Sequence, residues 1–311
     1  MESIDGTLAG RIKLRHIRCF AEIARARSLA GAAERLALSQ PTVSKTLAEL
    51  ETILGARLVT RSRRGAELTH AGAGLLPRVA AALTELERGL EGLRGAAGRE
   101  RLRVGVLPTV AASIAPQAIR RFHAERPEVV VTLVTGPNLY LVERLRAGGL
   151  DLVVGRLAVP DKMKGLAFQH LYSELVRAVV RPGHPLVAAA PGGATLWLGD
   201  FPLVLPDRDA VIRPAVDRLL ITLGVGEPMR RIESVSNAFG RNFVRDTDAI
   251  WLISEGVVAR DLADGTLARL EIDTAETLGP VGLTTRAGGE GEPAVALRHF
   301  MRIIETVSES R

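Results

Sequence analysis

Sulfur chemistry is nearly absent from this chain. Its 311 residues include one cysteine, Cys19, set between Arg18 and Phe20 in a segment of helical apolar spacing. An intramolecular disulfide and a thiolate metal cluster are both excluded, and a reduced compartment fits. No run of about 18 apolar residues could span a bilayer, and the N-terminus lacks the uninterrupted apolar core of an export signal. These absences predict a cytoplasmic protein with no membrane partner. The nucleotide-binding G-x-x-x-x-G-K-[ST], the nucleophile elbow G-x-S-x-G and the zinc motif H-E-x-x-H are missing as well. The six histidines, His16, His70, His123, His170, His184 and His299, lie too far apart for a local ligand pair, and each reads as surface or satisfied core. The glycines of Gly288-Gly289-Glu290-Gly291 have acidic company and Pro293 behind them, which suits a loop better than a phosphate cradle. No metal, cofactor or catalytic residue is nominated, and an enzyme is not expected.

What is present begins with size. A chain of this length predicts two folded units, and 47% hydrophobic against 24% charged residues supplies substantial cores. The net charge of +6 is unevenly placed. Residues 1–72 carry 12 Lys and Arg against 7 Asp and Glu, whereas the remaining residues hold 29 against 28. A basic module on a balanced body suits a polyanion, because cations that displace counterions from a phosphate backbone gain affinity without reading sequence. A solvated basic face is the plainer alternative.

Three helical patterns fill the basic segment. Ile17, Phe20, Ile23 and Ala24 share one face of the first. Ser28 is placed to cap a short second helix with the stripe Leu29, Ala32, Ala33 and Leu36. Ser39 can cap the third, with Pro41 in the first turn where a missing N–H costs nothing. Its core face is Val43, Leu47, Leu50 and Leu54, and Gly55 ends it. The opposite face, near the N-terminus, carries Gln40, Thr42, Ser44 and Lys45. Two helices joined by a tight turn, the second opening with small polar groups and a cation, match the geometry of a recognition helix entering a major groove. Gln40 can pair with adenine, Thr42 and Ser44 can reach base edges or phosphates, and Lys45 suits guanine or phosphate. Pro41 shapes the first turn, with a methyl contact as a secondary possibility. Residues 57–69 then read as two short strands around a basic turn, a wing. Its Arg61, Arg63 and Arg64 would follow the sugar-phosphate backbone or reach the minor groove, although an arginine-rich turn is commonly just solvated surface.

The run LAGAAERLALSQPTVSKTLAELE from Leu29 to Glu51, followed by LGARLVTRSRRGAELTHAG, resembles the N-terminal signature of LysR-type transcriptional regulators over about sixty positions. The resemblance implies a double-stranded DNA partner. Lys45 departs from the arginine of many members, and a lysine loses the planar fork, which points its contact to phosphate instead of guanine. Thr69 can cap a further helix in which Leu76, Val79, Leu83, Leu86, Leu90 and Leu93 form a heptad seam. The equivalent segment of the family dimerises the DNA-binding heads, implying a dimer or tetramer on a roughly two-fold operator. Packing on its own chain is the other reading, kept open by Pro77, Gly89 and Gly92. The stretch from Gly95 to Glu100 reads as a hinge.

Beyond it, strand and helix alternate: a strand at 102–107, a helix at about 113–123, a strand at 129–134, a helix near 139–147 and a strand at 152–154. A second such pattern spans about Val176 to Leu270, and a closing strand and helix between Val281 and Val307 return to the first lobe. This order predicts parallel sheets with helices on both faces and a cleft at the carboxyl ends of the strands. The predicted fold is an N-terminal α winged helix-turn-helix with a long linker helix, then an α/β two-lobed domain resembling periplasmic binding proteins. The expected boundaries are 1–68 for the head, 69–98 for the linker helix and hinge, and 99–311 for the two-lobed domain. Lobe I takes about 99–174 and 277–311, and lobe II about 175–276.

Carried over from the family's effector pocket, Thr109 and Asn138 would meet a small anionic effector at helix starts, and Pro206 and Asp207 would close over it from lobe II. Each polar residue could instead be a helix cap. Arg156 either couples the lobes or is a surface cation. GVLPTVAASIAP, VTGPNLYLVERLRAGGLDLVVGRLAVPDKM and HLYSELVRAVVRPGHPL resemble the LysR-type activators of protocatechuate catabolism and relatives that respond to sugars. The resemblance implies an aromatic acid or its ring-cleavage product as effector, with RNA polymerase as the partner through which regulation acts. A sugar or another metabolite is the alternative within the family. Two other classes are a solute-binding module, opposed by the missing export signal and the basic head, and an effector-free nucleoid protein, which needs no cleft.

Overall fold

The structure, a computed structural model, describes residues 8–62, 65–93, 100–187, 198–226, 230–287 and 294–310. Two compact units divide the chain, one centred on the N-terminal segment and one on the residues from Arg99.

The first unit contains α1 (Leu14–Ala26), α2 (Leu29–Leu36), α3 (Gln40–Leu54), the antiparallel pair β1 (Val59–Ser62) and β2 (Gly65–Leu68), and α4 (His70–Leu93). The stops and starts follow local chemistry. Ser28 Oγ accepts from Gly31 N at 3.3 Å and Ser39 Oγ from Thr42 N at 3.4 Å, each cap contributing about 1 kcal/mol. Gly55 closes α3 at φ 64, left-handed backbone that glycine adopts without a Cβ penalty. Phe20, Ile23, Ala32, Val43, Leu47, Leu50 and Leu58 bury together, so the predicted apolar faces are the core. Cys19 belongs to that core, its thiol directed to Val43 O at 3.5 Å and pushed by burial to a pKa of about 11.

Thr69 caps α4, its Oγ1 accepting from Gly72 N at 3.0 Å, and the helix continues through Pro77. An interior proline costs about 3 kcal/mol. Leu76, Val79 and Leu83, packed on the head core, offset it. The seam therefore divides. Its first half is used by its own chain, whereas Leu86 and Leu90 remain 41% and 49% exposed. Residues 95–99 of the hinge expected from Gly95 to Glu100, the side chain of Leu93, wing residues Arg63 and Arg64, and the loop Gly288–Gly291 lie outside the described residues, and Arg61 is described by its backbone alone.

In the second unit, β3 (Arg101–Val106), α5 (Pro108–Ala112), α6 (Ile114–Glu125), β4 (Val130–Thr135), α7 (Asn138–Arg146), β5 (Leu152–Arg156) and β6 (Leu166–Glu174) build lobe I. Lobe II follows with β7 (Val176–Val180), β8 (Leu203–Leu205), α8 (Arg213–Thr222), β9 (Arg231–Glu233), α9 (Asn237–Asp246), β10 (Ile250–Ser254), α10 (Glu255–Ala263) and β11 (Ala268–Arg269). The chain returns to lobe I through β12 (Gly279–Arg286) and α11 (Val295–Glu309), and α11 packs on α6.

Each lobe holds one five-stranded sheet, ordered β4-β3-β5-β12-β6 and β11-β7-β10-β8-β9. The expectation of parallel sheets needs correction. β3, β4 and β5 are parallel, as are β8, β9 and β10, but β12 runs antiparallel to β5 and β6, and β7 antiparallel to β10 and β11. The reason is the double crossing: β6 leaves lobe I and β12 re-enters it, so neither is joined to its neighbours by a helical crossover, which alone enforces parallel order. The helix expected at about 113–123 is α6, and a further short helix, α5, precedes it, set apart by Ser113 at φ −111 and ψ −91. Trp251 fills the core of lobe II against Gly240, where a Cβ would come within 2.5 Å of the ring.

Candidate functional site

The N-terminal end of α3 carries the first candidate surface. Gln40, Pro41, Thr42 and Lys45 are exposed and Ser44 is half-buried, while Val43, Leu47 and Leu50 on the opposite side are closed in the core. Ser39 is a cap, and its Oγ also lies 2.8 Å from Thr42 Oγ1, which fixes the Thr42 rotamer. Donors, an acceptor and a cation thus sit on one helix end whose free backbone N–H groups favour negative charge.

Residues not anticipated from sequence hold this end in place. Glu51 is buried on α3, its Oε1 accepting from Leu58 N at 2.8 Å and Val59 N at 3.1 Å. One carboxylate therefore ties the start of β1 to α3. Its signal was a charge abutting the apolar stripe at Leu50. His16, buried in α1, accepts from Lys13 N through Nδ1, so Nε2 carries the proton and donates to Glu49 at 3.2 Å. That hydrogen bond, with Arg15 and Lys45 nearby, holds the Glu49 carboxyl below its usual range.

The second candidate site is the seam between lobes I and II. Thr109 lies in α5, buried, with an Oγ1 that makes no hydrogen bond among the described residues. α5 has five residues, too short for the helix-end charge invoked for Thr109, so its hydroxyl is what it offers. Asn138 opens α7 as expected, but its Nδ2 donates to Arg156 O at 3.0 Å. Arg156 is 7% exposed, which removes the surface-cation reading. Its Nη2 donates to Glu174 O and Thr277 O, both at 2.7 Å, and these carbonyls belong to the two strands of chain that cross between lobes. Desolvation lowers the guanidinium pKa and the Glu174 charge opposes that. Gly279 makes room, since a Cβ there would lie 2.5 Å from Arg156 Nε. Thr277 Oγ1 accepts from Val176 N at 2.9 Å, stitching the crossings to each other.

Pro206 and Asp207 sit after β8. Pro206 O accepts from Arg213 Nη1 at 2.8 Å, and Asp207 Oδ1 accepts from Asp209 N at 3.2 Å. Asp207 therefore shapes the turn. Arg213, unremarked in the sequence, also pairs with Asp217 and Glu233. A cavity of about 540 Å³ lies beside it, lined by Leu205, Leu220 and Val225 among others and by no residue of lobe I; it is separate from the seam. Among the described residues no group of three His, Cys, Asp or Glu could hold a metal ion, and no helix is long and apolar enough to cross a membrane.

Residues 14–73 match the bacterial regulatory helix-turn-helix of the lysR family, and residues 95–308 match the LysR substrate binding domain. The chain belongs to the LysR family of DNA-binding transcriptional regulators. The regulator PcaQ of Agrobacterium fabrum is 48% identical to this LysR-type chain over 94% of each. YdcI of Escherichia coli, an HTH-type transcriptional regulator, is 36% identical over 89% of this chain and 90% of its own. Among solved structures, full-length LysG of Corynebacterium glutamicum with bound effector Arg superposes with TM-score 0.64 at 19% identity, covering 96% of this chain and 99% of that one. That similarity is one of fold. In this LysR-type regulator the α3 end described above lies within the matched DNA-binding segment, and the seam within the matched substrate binding domain.

Proposed function

We propose that this LysR-type regulator controls genes for aromatic acid catabolism and responds to a carboxylated aromatic acid or its ring-cleavage product. Identity of 48% to PcaQ across 94% of the chain carries the pathway. Residues up to 68 read operator DNA, 69–98 pair the heads, and 99–311 sense the effector. On the DNA, Gln40 pairs with a base edge, Pro41 and Thr42 set the approach, Ser44 and Lys45 engage phosphate or base, and the wing arginines Arg61, Arg63 and Arg64 follow the backbone. Two heads joined through the open half of α4, at Leu86 and Leu90, bind half-sites about one helical turn apart.

In the seam, Thr109 offers its hydroxyl to the anion, Asn138 frames the pocket through Arg156, and the Pro206–Asp207 turn closes it from lobe II. Arg156 couples the lobes by holding both crossing segments. A ligand that binds one lobe arrangement more tightly shifts the population toward it, which moves the heads, alters the bend of bound DNA and changes contact with RNA polymerase. The protein acts in the cytoplasm as a regulator and not a catalyst.

Footprinting of the DNA beside its own gene, at fixed salt, tests this. Protection of a partly palindromic site that changes extent with protocatechuate or its ring-cleavage acid is expected. Specific protection indifferent to both acids would remove the ligand assignment and leave the regulator.

A further inference from the structure

Lobe II holds a cavity to which the seam contributes nothing. Its volume of about 540 Å³ falls within the range of about 300–1,000 Å³ typical of small-molecule sites. Its lining is apolar at depth, where Leu205, Leu220 and Val225 are buried. Pro214 and Ile221 line it from exposed positions on α8, Ile221 at 75% exposure. Apolar surface of this kind gains by covering with an apolar body.

Three guanidiniums line the same cavity, those of Arg208, Arg213 and Arg231. Arg213 is 8% exposed. Its Nε donates to Asp217 at 2.7 Å, and its Nη1 donates to Pro206 O at 2.8 Å and to Glu233 at 3.1 Å. Nη2 makes no hydrogen bond among the described residues, although a guanidinium carries five N–H donors and a buried one is normally met by acceptors. Arg208 is exposed on the segment after β8 and has neither an ion pair nor a hydrogen bond among the described residues. Only two carboxylates, Asp217 and Glu233, pair with Arg213, so the three guanidiniums leave one positive charge to be balanced.

We propose that this cavity is a second ligand site, built for a small monocarboxylate with an apolar body. The body covers Leu205, Leu220 and Val225, while the carboxylate accepts from Arg213 Nη2 and from Arg208 in charge-assisted hydrogen bonds. A single negative charge matches the excess, and a bare inorganic anion would leave the apolar lining uncovered. No residue of lobe I lines the cavity, so the site stands whether or not the effector assigned to the seam is correct.

The test uses the full-length protein, with hexanoate as the probe and acetate and inorganic phosphate as comparisons in calorimetric titration. Each buried methylene is worth about fourfold in affinity, so hexanoate should bind roughly tenfold or more tightly than acetate, and more tightly than phosphate. Bound hexanoate should slow hydrogen exchange at residues 213–226 and leave residues 108–112 unchanged. Arg208→Glu should weaken hexanoate binding roughly tenfold, with an unfolding midpoint near that of the parent. Protection at 108–112 in place of 213–226 would put the acid in the seam and overturn the second site. Acetate or phosphate binding as tightly as hexanoate, an affinity indifferent to Arg208→Glu, or no binding of hexanoate at all would overturn the assigned chemistry.

Discussion

The head and the two-lobed domain solve the same problem, placing polar groups for recognition, over different distances along the chain. In the head, exposed polar residues and core residues alternate on one helix. Gln40 and Lys45 face out because Val43, Leu47 and Leu50 face in, and the caps that set the register are three residues away. In the two-lobed domain the decisive bonds span the fold: Arg156 reaches Thr277 over 121 residues, Thr277 reaches Val176 over 101, and Asn237 reaches Pro108 over 129. A head of this kind fails locally when one residue changes, whereas the seam fails by releasing a distant segment.

That contrast can be broken most forcefully at Arg156. Arg156→Ala leaves two carbonyls of the crossing segments without their donor and the buried Glu174 without its neighbouring charge. It should destabilise the two-lobed domain by about 3–5 kcal/mol, while calorimetry records no matching loss in the head. A head transition that shifts equally would show that the two units unfold as one.

Within the head, Glu51→Ala should cost about 1–3 kcal/mol, because two buried N–H groups lose their acceptor, and should weaken operator binding by releasing the wing. Glu51→Gln keeps an acceptor oxygen and should recover most of the stability. Equal losses in the two variants would assign the effect to charge and not to the hydrogen bonds.

Next come the exposed residues proposed to contact DNA, whose replacement should leave folding untouched. Gln40→Ala should relax base preference at one operator position by about 1–3 kcal/mol. Lys45→Ala should weaken binding to all sequences alike and lower the salt slope by about one. Base-selective loss in Lys45→Ala, read by gel shift on operator variants, would move that residue from phosphate to base.

The smallest effect belongs to a histidine in lobe II. His184 is 1% exposed, accepts from Leu186 N at Nδ1 and donates from Nε2 to Asp248 O, which requires the neutral ring. Burial lowers its pKa below the ordinary 6.5. The unfolded chain therefore takes up the proton first, so stability is present above about pH 6.5 and lost as pH falls below it. The midpoint of the two-lobed domain in urea should drop between pH 7 and pH 5.5, and His184→Gln should flatten that dependence. An unchanged slope would place the acid sensitivity elsewhere.

Much of the head was legible because helical periodicity, caps and turn residues act within a few positions. Ser28, Ser39, Pro41 and Gly55 occupy the roles their chemistry assigns. Glu51 escaped notice since its partners belong to the wing and its meaning depends on how β1 docks. In the second unit the alternation of strands and helices was readable, yet the antiparallel β7 and β12 were not, because strand direction follows from which lobe the chain has just left. Periodicity also could not apportion the apolar residues of α4, where Leu76, Val79 and Leu83 serve their own chain and Leu86 and Leu90 stay open.

By itself, the sequence determined a basic helix-turn-helix head, a following helix and an alternating α/β body, since each rests on spacing within a dozen residues and on where charge accumulates. Tertiary structure alone decided that Arg156 is a buried clasp on both crossings, that Asp207 shapes a turn, and that Asn237 meets Pro108. Those roles depend on which segments are brought within about 3 Å of one another, and contacts between residues more than a hundred positions apart leave no periodic trace.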